Sequence, residues 1–227
     1  HHTGLKNICS LSRIDRDDFV WMDRFTLRNL EVFASAAGRD GRALVDVVDM
    51  CASPMGARLL RSWLSMPIMD LKELESRFDT VGWFLENPEA LAEVRDRLSN
   101  IGDQERLISR AAAGRIEPRA VVQLRRGLGE TGPIAAATAS CPALEKSLKG
   151  IDDCSKLIEF IDRTLCEAPA AAIGKGDVIA PGVSAELDGL RDVLAHGKDI
   201  LLQIQQREKD ATGIPSLRIS YNNVFGY

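Results

Sequence analysis

Six arginines stand close together with one acid among them. Arg106, Arg110, Arg115, Arg119, Arg125 and Arg126 are relieved only by Glu117. Guanidinium groups match phosphate oxygens, so a phosphate-binding face is one chemistry this segment could perform. Ion pairing between helices is the other, and it is the preferred reading. Arg106 and Arg110 are one helical turn apart, with Glu105 beside them. No catalytic arrangement accompanies these charges. Gly174-Lys175-Gly176 lacks both the upstream glycine spacing and the following hydroxyl of a phosphate cradle. There is no GxSxG, HExxH or EF-hand loop. Asp152-Asp153 sits before a predicted helix and reads as a cap rather than as metal ligands. The only histidine beyond His1 and His2 is His196, so imidazole catalysis has almost nothing to work with. No catalytic, cofactor-binding or metal-binding residue is assigned, and the chain does not read as an enzyme.

Positioning such residues requires a scaffold, and the composition favours helices. The 227 residues are 45% hydrophobic but only 5% aromatic, enough apolar mass for one large or two small domains. The formal net charge of −4 argues against a chain that binds nucleic acid with its whole surface. Five scattered cysteines without a CxxC predict reduced core thiols in a cytoplasmic protein. No apolar run approaches the roughly 20 residues of a membrane span.

Residues 1–22 read as the end of a connecting segment, with Phe19-Val20-Trp21-Met22 suited to a buried strand. Asp23 caps a helix over 24–32, and Leu44, Val47 and Val48 give a short helical stripe. Ser53-Pro54 is a helix start, with Pro67 as its end. That helix sets Met55, Leu59, Leu60, Trp63 and Leu64 on one face and Arg58, Arg61 and Ser62 opposite. Trp63 and its stripe read as core rather than as a base-stacking platform. Further helices are predicted over 71–86, 89–98, 104–113, 119–128 and 154–166. Gly129, Gly132 and Pro133 read as punctuation, and a loop runs from 168 to 182.

The longest predicted element starts at a Ser184 cap and reaches about Ala211. Leu187, Leu190, Leu194, Gly197, Leu201, Ile204 and Glu208 follow alternating steps of three and four, the pattern of a coiled-coil seam. Such a helix is about 40 Å long. Gly197 either admits a close neighbour or marks a flexible point. No helix of equal length is available elsewhere in the chain to cover the seam. The seam packs across the shorter helices, or its mate lies beyond Tyr227. Leu217, Ile219 and Tyr221 then alternate with Arg218 and Ser220, as in a strand with one buried face. A lone terminal strand has no partner in sequence. The chain is therefore expected to be a piece of a larger protein.

Five strings carry more than composition. They are Met22-Asp23-Arg24-Phe25-Thr26-Leu27-Arg28-Asn29-Leu30-Glu31, then Ser53-Pro54-Met55-Gly56-Ala57-Arg58-Leu59-Leu60-Arg61-Ser62-Trp63-Leu64, then Ile101-Gly102-Asp103-Gln104-Glu105-Arg106-Leu107. Glu186-Leu187-Asp188-Gly189-Leu190-Arg191 and the terminal run from Arg207 to Tyr227 complete the series. In this order and spacing they resemble the middle region of the MutS family of DNA mismatch-recognition proteins, over essentially the whole chain. Two departures stand out. Gln104 replaces a usual apolar residue, which predicts a more exposed turn, and Ala180-Pro181-Gly182-Val183 stands where a Gly-Tyr pair is usual.

The resemblance implies a mainly all-α fold: a helical core domain, one long lever helix and a short β segment at the C-terminal end. Residues 1–22 would end the connector, 23–183 form the core, 184–211 the lever and 212–227 the first strand of a DNA clamp. Thr26-Leu27-Arg28-Asn29 and residues 54–58 would be hinge and packing motifs near the domain junctions, and Pro54, Met55, Gly56, Arg58, Leu59, Trp63 and Leu64 a core motif. Leu187, Leu190, Leu194, Leu201 and Ile204 would be the lever seam. Arg218, Asn222 and Asn223 would be the candidates to reach the DNA backbone, although a solvated strand face is the preferred reading of Arg218. The resemblance also implies a parent protein that is a DNA-dependent ATPase. Its ATP and Mg would be bound in another domain. Its partners would be duplex DNA, a second MutS subunit and a MutL-type repair protein, with no membrane involved. A helical scaffold or adaptor with a coiled-coil arm is the alternative, as is a MutS paralogue acting in recombination.

Overall fold

The computed structural model describes residues 16–219. They divide into two compact units, one ending at Val178 and one beginning at Ile179. The first unit is built from short helices: α1 (Arg24–Asn29), α2 (Leu44–Val48), α3 (Pro54–Ser65), α4 (Leu71–Glu86), α5 (Pro88–Asn100), α6 (Gln104–Ala112), α7 (Pro118–Gly129), α8 (Thr131–Ala137), α9 (Glu145–Leu148) and α10 (Ser155–Thr164). The second is dominated by α11 (Ala185–Thr212).

Caps explain where many of these helices begin, because each start leaves backbone N–H groups without helical partners. The Asp23 carboxylate accepts from the Thr26 N–H at 2.7 Å, Ser53 Oγ from Gly56 at 3.2 Å, and Asp70 from Lys72 at 2.8 Å. Asp153 accepts from the N–H of Ser155, the first residue of α10, and Asp152 from that of Cys154 just before it. α1 is shorter than the sequence predicts. Leu30 closes it, and Glu31 turns into the left-handed region at φ 50°. The Glu31 carboxylate then binds Ser35 Oγ and the Ala36 N–H, while its carbonyl accepts from Leu44.

The centre of the first unit lies where α7 meets α6 and α10. Leu107, Ala120 and Leu124 are buried together, with Ile116 and Leu128 packed against them. Gly127 lets α7 approach closely, since a Cβ there would collide with Gln104 Nε2 and the Ile101 carbonyl. Gln104 is accordingly buried at 8% exposure, which corrects the expectation of a more exposed turn. Its Nε2 donates to the Ile101 carbonyl, while its Oε1 has no hydrogen-bond partner.

Three other expectations change. Phe19 makes a single antiparallel bridge with Ile68, but Val20 and Trp21 are exposed, so the run from Phe19 to Met22 is not a buried strand. Of the described cysteines only Cys141 is buried; Cys51 is exposed and Cys154 and Cys166 are intermediate. α8 runs through Gly132 and Pro133, against the expectation that they punctuate the chain.

In the second unit, Ser184 Oγ caps α11 through the Leu187 N–H at 3.3 Å. Residues 179–183 are tied to its first turns. Arg191 donates to the Ile179 carbonyl at 2.8 Å, and the Gly182 N–H donates to Asp188 at 2.7 Å. Gly213, at φ 70°, ends the helix in the left-handed conformation. A turn follows, with the Leu217 N–H donating to the Ile214 carbonyl, and the Ile219 N–H returns to Gln205 Oε1 at 2.9 Å. Residues 214–219 therefore carry a turn and no strand, while the rest of the expected clamp strand lies outside the described residues.

Candidate coupling joint

Two of the strings singled out in the sequence meet in space. Ser53 and Pro54 start α3, which aims Arg58 at the first turn of α6. Arg58 Nη1 and Nη2 donate to the two Asp103 oxygens at 2.8 and 2.7 Å, and Nε donates to Glu105 Oε2 at 2.9 Å. This fork fixes direction as well as distance, because a planar guanidinium matches a carboxylate along two parallel bonds. Asp103 is also the N-cap of α6, accepting from the Arg106 N–H at 3.2 Å. One carboxylate thus terminates a helix and anchors another.

The electrostatics follow from that geometry. Hydrogen bonds from Arg58 hold the Asp103 carboxyl down at about 2, with the Arg106 N–H and the two positive charges acting in the same direction against partial burial. The two carboxylates in turn push the Arg58 guanidinium still further above its usual range, Asp103 first and Glu105 second.

Around the joint the apolar stripe of α3 is less buried than its periodicity suggests. No residue of this helix is fully buried, Leu59 is exposed, and Trp63 is 40% exposed. This corrects the reading of the stripe as core. The Arg77 guanidinium lies over the Trp63 ring, 3.7 Å from its centroid, and closes that face. Met55, Leu60 and Leu64 are half-buried, and Pro54 is exposed. A Cβ on Gly56 would press on Ser53 Oγ at 3.3 Å, so the capping serine and the glycine fit as a pair.

The six clustered arginines resolve mainly into local pairs. Arg106 reaches Asp103 at 3.4 Å, Arg110 reaches Glu117 at 3.5 Å, and Arg125 reaches Asp162 on α10 at 2.7 Å. Arg119 donates to the Pro169 carbonyl at 3.0 Å. Arg97 adds a further tie, from Glu93 within α5 to Glu130 ahead of α8, at 3.0 and 3.2 Å.

On α11 the seam residues divide. Leu187, Leu201 and Ile204 are half-buried, whereas Leu190 is exposed and Leu194 is 85% exposed. Arg218 is exposed, and Asn222 and Asn223 lie outside the described residues. The structure thus joins the motif from Pro54 to Leu64 to the 101–107 string. The Asp103 partnership was missed in the sequence; the aspartate at a predicted helix start was its only local sign.

Among the described residues no group of three or more His, Cys, Asp or Glu side chains could hold a metal ion. No helix among them is long and apolar enough to cross a membrane.

Comparison with known proteins finds relatives over the whole chain. The family described as MutS domain III matches residues 25–214. The DNA mismatch repair protein MutS of Phocaeicola vulgatus is 45% identical over the whole chain, and that of Parabacteroides distasonis 42%. The MutS of Flavobacterium psychrophilum is also 42% identical. The chain spans about 26% of the length of these relatives. With 190 of its 227 residues matched (25 through 214), the chain belongs to the MutS domain III family.

Proposed function

We propose that this chain is the mechanical coupling element of a mismatch-recognition protein in DNA mismatch repair. Residues 1–22 end a connector, 23–183 form the core, 184–211 the lever and 212–227 the start of a DNA clamp. The core passes the nucleotide state of an ATPase domain, which binds ATP and Mg elsewhere in the protein, along the lever to the clamp. The chain itself contributes no catalytic group. The intact protein grips duplex DNA, with Arg218, Asn222 and Asn223 reaching backbone phosphates. It works in the cytoplasm with a second MutS subunit and a MutL-type partner. The relatives at 42–45% identity all carry the mismatch-repair name, which favours repair over a recombination paralogue.

The observation that supports this reading is α11, capped by Ser184, ended by a left-handed Gly213 and interrupted once, at His196. Long helical segments joined at one bend convert rotation at one end into displacement at the other, and packed elements switch between discrete arrangements. In the intact protein, replacing Leu194 and Leu201 together with Ala should slow ATP-triggered release from mismatched DNA and weaken DNA-stimulated ATP hydrolysis. Nucleotide-free DNA affinity should change little. Wild-type values for both ATP-linked responses would rule the lever role out. The exposure of Leu190 and Leu194 also supports the scaffold alternative, in which two copies pair along α11. Sedimentation equilibrium of the chain with and without Leu194→Glu separates the readings: a dimer abolished by the substitution favours the scaffold.

A further inference from the structure

The long helix is interrupted once. His196 has φ −109° and ψ 16°, outside the helical region, although the residues on either side continue the rod. Gly197 follows directly, and a Cβ built on it would meet nothing within 4 Å. Close packing therefore does not require glycine at this position, which leaves backbone freedom as its contribution. The imidazole completes the picture. Its Nδ1 lies 2.9 Å from Asp192 Oδ1 and 3.2 Å from the Asp192 carbonyl oxygen. Both neighbours are acceptors, so Nδ1 must carry the hydrogen. The ring N–H thus ties the residue at the break to Asp192, one turn back, through both the side-chain and the main-chain oxygen.

We propose that His196–Gly197 is a hinge dividing α11 into two rods, 185–195 and 197–212, with the His196 Nδ1–H as the latch that holds the bend at Asp192. His196 acts here as a positioning residue.

The test needs only this chain, so its outcome is independent of whether α11 transmits a nucleotide signal. Nitrogen-15 shifts of the neutral imidazole should report the Nδ1–H tautomer. Amide hydrogen exchange should show faster opening at 196–200 than in the flanking turns. His196→Ala should speed exchange there about fivefold, the loss of one net hydrogen bond. His196→Asn, which retains a donor, should stay near the parent rate. Gly197→Ala should slow exchange about fivefold by restoring helix propensity. An Nε2–H tautomer, unbroken protection along α11, or identical behaviour of the Ala and Asn variants at His196 would overturn the proposal.

Discussion

At the scale of single residues, Asp103 has the most to reveal. Its folded carboxyl titrates at about 2, below the ordinary value of 3.8, because Arg58 donates to both oxygens. A depressed carboxyl stabilises the fold above its unfolded value, and that contribution disappears as pH falls through the folded value. The joint should therefore loosen between about pH 4 and pH 2. Carboxyl carbon shifts followed during acid titration will check this, and Arg58→Ala should return the Asp103 midpoint toward 3.8. Gly127 offers a second test of opposite character. A methyl group there meets Gln104 Nε2 and the Ile101 carbonyl, and the backbone carbonyl cannot swing aside. Gly127→Ala should cost about 1–3 kcal/mol, read as a lower Tm in thermal unfolding. Neither feature follows from spacing. Asp103 and Arg58 are 45 positions apart, and only the folded chain brings them together.

At the scale of elements, boundaries were legible where a cap is followed by a proline or an apolar stripe. The bounds of α4 (Leu71–Glu86) agree with the predicted 71–86, and α3 begins at Pro54 as the Ser53-Pro54 pair requires. α8 was hidden because Gly132-Pro133 resembles a break. Pro133 falls in the first turn, where a helix has no use for the missing N–H, so the helix tolerates it. Periodicity predicted the apolar stripe of α3 but could not say what covers it. An amphipathic pattern gives a direction, not a neighbour, and here an arginine lies on Trp63. The seam of α11 repeats that lesson, since equal hydrophobic steps lead to unequal exposure. Leu194→Ala should shift the stability of the chain by less than about 0.5 kcal/mol, as exposed substitutions do. Leu201→Ala, at a half-buried position, should cost about 1 kcal/mol in denaturant unfolding.

At the scale of the molecule, charge and the rod set the expectations. With a net charge of −4 and three of six clustered arginines facing carboxylates, the chain alone should bind duplex DNA weakly. Fluorescence anisotropy should give a Kd above about 1 μM at physiological salt. A tighter, steeply salt-dependent affinity would move the DNA-facing surface to the arginine segment. The left-handed Gly213 has a geometric consequence of its own. By stopping the rod at a fixed residue it also fixes the compass bearing at which the chain departs. Inserting one alanine after Gln206 would swing that bearing by about 100°, whereas four insertions come within about 40° of the original. If the intact protein transmits through this rod, the single insertion should harm ATP-linked DNA release more than the fourfold one, so that angular phase rather than length is what the sequence protects.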